Sequence, residues 1–231
     1  MNHLFEACLV ALTLTTGIAA SVAAQAMQKG ISVELPVTSN AVPMPDADHE
    51  DSLIVSVTDN GSLYFGIDPI SPAALAERVK SSLSNRAEKN LYIKADARTT
   101  YVNVVKVLVA VRKAGLEAPN LLTAQRDLAE PGTLVPPKGL EVLVGPPSYS
   151  GSEATVVQVL NSGQRRPTLK INHEQIPWAT LQSTLRQRFQ NRNEKVVLVK
   201  TAGILPYADV VDVIDICRLT GAKVVLVTPG P

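Results

Sequence analysis

Cysteine, histidine and net charge are all in short supply in this chain. Its two cysteines, Cys8 and Cys217, stand in unlike contexts, an apolar N-terminal segment and a helix-like stretch, so neither a disulfide framework nor a thiolate metal site is implied. They read as two unpaired apolar thiols. None of the three histidines, His3, His49 and His173, has another at ligand spacing, which argues against a histidine-based metal centre. With 22 Lys and Arg against 21 Asp and Glu, no global field draws nucleic acid or an anionic lipid surface. Catalytic signatures are missing too: no Gly-rich phosphate loop, Cys-x-x-Cys, His-Glu-x-x-His or Gly-x-Ser-x-Gly occurs. Asp96 with Tyr101, and Asp209, Asp212 and Asp215 at three-residue spacing, come nearest to acid–base carboxylates. Spacing of that kind belongs to a solvated helical face. Neither an enzyme nor a cofactor is expected.

What is present begins with an uncharged run from Ala7 to Gln28. As a helix it would be about 33 Å long, enough to cross a bilayer core. Small residues in "GIAASVAAQA" suit close helix packing, and "AQA" ending at Ala26 also fits a secretory cleavage site. Residues 1–28 therefore read as a transmembrane anchor or a signal peptide. Either reading places the remainder outside the cytoplasm.

Residues 29–52 hold a short β-like piece, "ISVELP" with a strand at 31–35, followed by the Pro-containing acidic "VTSNAVPMPDADHEDS". Such composition predicts a flexible tether. From Ser52, "SLIVSVTDNGSLYFG" alternates apolar and polar residues about Asp59-Asn60-Gly61, a hairpin signal. "SPAALAERVKSSLSNR" then predicts an amphipathic helix with Ser71 as N-cap, Pro72 in the first turn, and Leu75, Val79 and Leu83 on one face. "NLYIKA" reads as a strand, "TTYVNVVKVLVAVRKAG" as a helix stopped by Gly115, and "APNLLTA" as a closing strand. The resulting domain, 53–126, has the order ββαβαβ, with a right-handed crossover between parallel neighbours.

Residues 127–139 are rich in Pro and Gly and predict a linker. From 140 to 231 the pattern restarts: "LEVLVG", a hairpin with a longer turn at Ser162-Gly163, a helix from "PWATLQSTLRQRFQNR", then strand, helix and strand. One offset of 106 residues maps Leu181, Leu185 and Phe189 onto Leu75, Val79 and Leu83. It also maps Glu194 onto Glu88, Tyr207 onto Tyr101 and Gly221 onto Gly115. "NRAEK" recurs as "NRNEK". The chain is read as a tandem duplication of an α/β (α+β layered) unit, each copy able to close its own core.

The stretch "IKADARTTYVNVVKVLVAVRKAGLEAPNLLTAQ", behind an apolar anchor and an acidic tether, resembles the ExbD/TolR family of biopolymer-transport proteins. The family pattern is carried by Lys94, Ala95, Asp96, Tyr101, Val105, Lys106, Val107, Ala114 and Gly115. It covers residues 31–126 well and 140–231 more loosely, where Tyr207 and Gly221 persist but Lys200-Thr201 replaces Lys-Ala-Asp.

The resemblance implies a single-pass inner-membrane protein with its bulk in the periplasm, beside an ExbB/TolQ-like proton channel. It also implies that the proton motive force drives a TonB- or TolA-like transducer. Peptidoglycan and a homodimer, the latter through a terminal strand such as "AKVVLVT", are further expected contacts. In the family a carboxylate near the cytoplasmic end of the anchor carries the proton; Glu6, after Phe5, holds the matching place. Glu6 lies at the edge of the apolar run, so an interfacial role is the alternative. The competing reading of the whole chain is a secreted periplasmic binding or scaffolding module without energy coupling.

Overall fold

The computed structural model describes residues 30–125, 136–146, 148, 154–201 and 204–229. Glu6, Cys8, the apolar run 7–28 and residues 127–135 of the expected linker lie outside them. Among the described residues no helix is long and apolar enough to cross a membrane.

In chain order the first half contains β1 (Val37–Thr38), β2 (Val42–Pro43), β3 (Ile54–Val57), β4 (Leu63–Phe65) and β5 (Asp68–Pro69). It continues with α1 (Pro72–Ser84), β6 (Tyr92–Ala95), α2 (Tyr101–Lys113), β7 (Asn120–Gln125) and β8 (Lys138–Glu141). The second half contains β9 (Leu143–Gly145), β10 (Thr155–Leu160), β11 (Thr168–Ile171) and β12 (Glu174–Ile176). Then come α3 (Leu181–Phe189), β13 (Val196–Thr201), α4 (Tyr207–Arg218) and β14 (Lys223–Val227). The α/β expectation and the tandem arrangement both hold, with two sheets and four α-helices among the described residues.

Local chemistry explains most elements. The β3–β4 hairpin turns where expected: Thr58 N–H donates to the Ser62 carbonyl at 3.0 Å and Gly61 N–H to that of Thr58 at 2.9 Å. Gly61 is needed twice over, because its φ is +85° and a Cβ there would lie 2.3 Å from Asn103 Nδ2 on α2. Ser71 caps α1 by accepting the Ala74 N–H, and Leu75, Val79 and Leu83 form its buried face. Gly115 and Gly221 end α2 and α4 with φ of +84° and +74°, the left-handed conformation that closes a helix.

The sheets repeat each other. The first runs β5-β4-β3-β6-β7 and the second β12-β11-β10-β13-β14, with hairpin strands antiparallel and helix-linked strands parallel. Beyond these strands the sheets differ: the second ends with β9 parallel to β14, whereas the first continues through antiparallel β8 to β2, and the two-residue β1 pairs in parallel with the end of β7 off this path. A single buried cluster draws on both halves, including Leu75, Val104 and Leu108 of the first and Leu185, Val210 and Ile214 of the second. The copies therefore share one core rather than closing two.

Four expectations about strands and connections are also corrected. Residues 30–48, part of the expected tether, form a strap on the first sheet: Leu35, Met44 and Ala47 pack against Ile54, Tyr92 and Leu122 on the face away from the helices. The acidic residues dominate the composition of this stretch while these apolar ones do the burying, so an average over it misleads. "ISVELP" is extended, but its ladder starts only at Val37, with Thr38 Oγ1 and Thr123 Oγ1 2.8 Å apart. The end of the expected linker is β8, antiparallel to β7. Gly139 permits this, since a Cβ would lie 2.5 Å from the Leu121 carbonyl oxygen and 2.6 Å from Met44 Sδ. Finally, "AKVVLVT" offers no edge for self-association, because β14 lies between β13 and β9.

The strap is also held by the other copy. Asp215 on α4 is buried, and its Oδ2 accepts the Ser39 N–H and Asn40 Nδ2, each at 3.0 Å. This overturns the solvated face expected for Asp215; Asp212 does keep a surface pairing, with Arg166 at 2.9 Å. Asp215→Ala strands a backbone N–H and should cost about 2 kcal/mol in denaturant unfolding, with faster hydrogen exchange at Ser39. Unchanged stability and exchange would show that the contact does not hold the strap.

Candidate functional site

The motif residues converge at the C-terminal end of β6 and the starts of α2 and α4. Asp96 follows the last residue of β6 and is almost completely buried, at 2% exposure. Its Oδ1 accepts the Arg98 N–H at 3.0 Å and Arg98 Nε at 2.9 Å; its Oδ2 accepts Arg98 Nη2 and the Glu34 N–H, both at 3.0 Å. Glu34 Oε2 lies 3.6 Å from the same guanidinium. These bonds, the Arg98 side chain foremost, hold the Asp96 carboxyl down at about 2 against the opposing effect of burial. A carboxylate so fully engaged is a fastener between strap and sheet, not a base with a lone pair to spare.

Lys94, two residues earlier, points to the opposite face of the strand's neighbourhood from Ala95 and is buried beneath the strap. Burial pushes its pKa down, and the negative charge of Asp48 in the strap offsets part of that. Asp48 is itself raised by burial, with Lys94 and His49 acting the other way. The two form an electrostatic tie between strap and sheet.

Tyr101 and Tyr207 open α2 and α4 and meet where the two copies touch. Tyr101 N–H donates to the Leu205 carbonyl at 2.7 Å, and Tyr207 N–H to that of Thr99 at 2.8 Å. Thr100 and Pro206 face each other between these bonds as an antiparallel bridge. Both rings are fully buried and neither hydroxyl has a hydrogen-bond partner among the described residues. Burial raises both phenols, and Tyr101 raises Tyr207 further by the charge it would carry. Gly115 and Gly221 lie at the far ends of the same helices, with open space around each Cβ position, so their constraint is conformational.

Lys94, Asp96, Tyr101 and Tyr207 thus gather around the strap and seam, whereas Gly115 and Gly221 do not; Glu6 is outside the described residues. Glu34, Arg98 and Asp215 complete the set; the first two were not singled out by sequence, and Asp215 was read there only as part of a solvated face. Asp215 did carry a signal: it sits four residues after Val211 and next to Ile214 on the apolar stripe of α4. Cys217 is buried and unpaired, with its thiol pushed up by burial.

A family model described as "Biopolymer transport protein ExbD/TolR" matches residues 12–126 and again 132–230. The biopolymer transport protein ExbD of Pseudomonas aeruginosa is 27% identical over 104 residues, covering 45% of this chain and 76% of that protein.

Held below the ordinary carboxylate value, Asp96 stabilises the fold above about pH 4, and this contribution is lost as pH falls towards 2. Asp96→Asn should cost about 2 kcal/mol at neutral pH and flatten the acid limb of the stability profile. A variant with the parent's acid limb would refute this assignment. Tyr207→Phe removes an unpartnered buried hydroxyl and should raise stability by about 1 kcal/mol in thermal unfolding; a loss would mean that the hydroxyl is bonded.

Proposed function

The chain belongs to the ExbD/TolR family of biopolymer transport proteins, and on that premise we propose that it is a non-enzymatic accessory subunit of a motor driven by the proton motive force. Its partners are a channel subunit of ExbB/TolQ type and a transducer of TonB/TolA type acting towards the outer membrane, with peptidoglycan as a further contact. The chain is anchored in the inner membrane by residues 7–28 and exposes its folded copies to the periplasm.

The observation that carries the reading is the Lys94-Ala95-Asp96 motif folded directly behind a strap that follows an uncharged run with Glu6 at its edge. A charge at the rim of an apolar helix costs several kcal/mol if drawn into hydrocarbon, and protonation removes most of that cost. Proton uptake and release at Glu6 would therefore change where the helix sits most favourably beside a channel.

Motion of the anchor reaches the folded part through residues 30–48. They are bonded to Asp96 by the Glu34 N–H and to Asp215 by Ser39 and Asn40. A strap tied at both copies transmits displacement, where a slack tether would absorb it.

Glu6→Gln should abolish energy-dependent transport at unchanged protein level, while the full-length chain still co-purifies with a multi-pass channel subunit. Unaltered transport would exclude Glu6 as the proton carrier. N-terminal sequencing showing a mature chain that starts after Ala26 would overturn the motor reading in favour of a secreted scaffolding module.

A further inference from the structure

We propose that the two copies form an internal dimer: the surface by which one unit would pair with a second copy of the chain is occupied by the other repeat. The chain accordingly works as a single-chain unit and not as a homodimer. This rests on the seam alone and does not need the motor reading.

A two-fold contact is self-complementary, so each bond reappears when the partners are exchanged. The seam has this property at the 106-residue offset. The bond from Tyr101 N–H to the carbonyl of Leu205 becomes, on exchange, the bond from Tyr207 N–H to that of Thr99. Arg112 and Arg218, also 106 apart, each reach the other copy, but on acceptors that the offset does not relate: Arg112 Nη2 donates to the Pro229 carbonyl at 3.0 Å, and Arg218 Nη1 to that of Glu141 at 2.6 Å. The helices follow suit, with α2 packed on β9 and α4 on β1.

Two features favour pairing within the chain over pairing between chains. Asp215 holds the first copy's strap, and the residue 106 positions earlier is Val109. A pair of first copies would leave the Ser39 N–H and Asn40 amide without that acceptor, so the seam discriminates between copies. The passage from the first sheet to the second is also direct: β8 ends at Glu141, β9 starts at Leu143, and Val142 between them is buried. Handing the second copy to another chain would require unpacking this residue. Covalent linkage over so short a passage keeps the effective concentration of the internal partner at about the millimolar level, above that of any second chain.

Thr100 and Pro206 provide the test. They face each other as the pair without mutual hydrogen bonds, in which Cβ atoms lie about 4.5–5.5 Å apart, close to disulfide reach. Pro206 lacks an N–H and this position asks for none. Thr100→Cys with Pro206→Cys, in a Cys8→Ser background of the full chain in detergent, is oxidised mildly and analysed by non-reducing electrophoresis and intact mass. The expected product is one chain of about 24.6 kDa closed by an internal disulfide. A disulfide-linked pair of chains, or thiols that stay reduced, overturns the proposal. Light scattering of the unsubstituted full chain is a second check independent of those substitutions: a protein mass of one chain supports it and a mass of two overturns it.

Discussion

The first turns of α2 and α4 depend on each other. A helix start leaves backbone N–H groups without intrahelical acceptors, and a side-chain cap ordinarily supplies one. Neither Thr100 nor Pro206 supplies a side-chain cap, and the N–H of Tyr101 and of Tyr207 is met instead by a carbonyl of the opposite copy. Each copy thus completes the other's helix. The tyrosine rings are buried by the same approach, and the buried cluster runs through both halves because the helices that line it start at one point. Two positive helix ends brought together repel, and the carbonyls of Thr99 and Leu205 placed between them offset that repulsion.

Within this shared frame the copies differ where the strap lies. Lys94 is buried under residues 30–48 and answered by Asp48, while Lys200, its counterpart 106 residues on, is only half-buried. Asp96 fastens the strap by the Glu34 N–H, and the second copy has Ala202 in the corresponding place. Divergence is physically permitted because a duplicated unit has two non-equivalent neighbours: only the first copy follows the N-terminal segment. The first copy is therefore built to receive the strap, and the second to lock it through Asp215. Division of labour on a near-symmetric scaffold is the outcome.

Much of the architecture was legible because it is encoded locally. The α1 helix could be read from Ser71, Pro72 and the Leu75-Val79-Leu83 spacing, and the hairpin from Asp59-Asn60-Gly61, since capping, turn geometry and amphipathic period act within a few residues. The duplication showed as one offset across helices, tyrosines and glycines. The strap was misread because three apolar residues, Leu35, Met44 and Ala47, are diluted among prolines and carboxylates and bury only when a sheet face receives them. Asp215 was misread for the converse reason: three-residue spacing predicts a common helical face but not what covers it. The edge expected at "AKVVLVT" disappears because β9, a neighbour far away in sequence, pairs along it.

By itself the sequence determined the four α-helices, the hairpins and the helix-linked strands of each copy, their order, their repetition and the residues that punctuate them, because propensity, capping and turn chemistry depend on neighbours along the chain. Only the tertiary structure decided that the two copies share a core, that Tyr101 and Tyr207 meet at a near two-fold seam, and that a proline-rich acidic stretch is docked. Those outcomes depend on which donors and acceptors remain unpaired once each copy has folded, and pairs such as Ser39 with Asp215 lie too far apart in the chain for any local pattern to announce them.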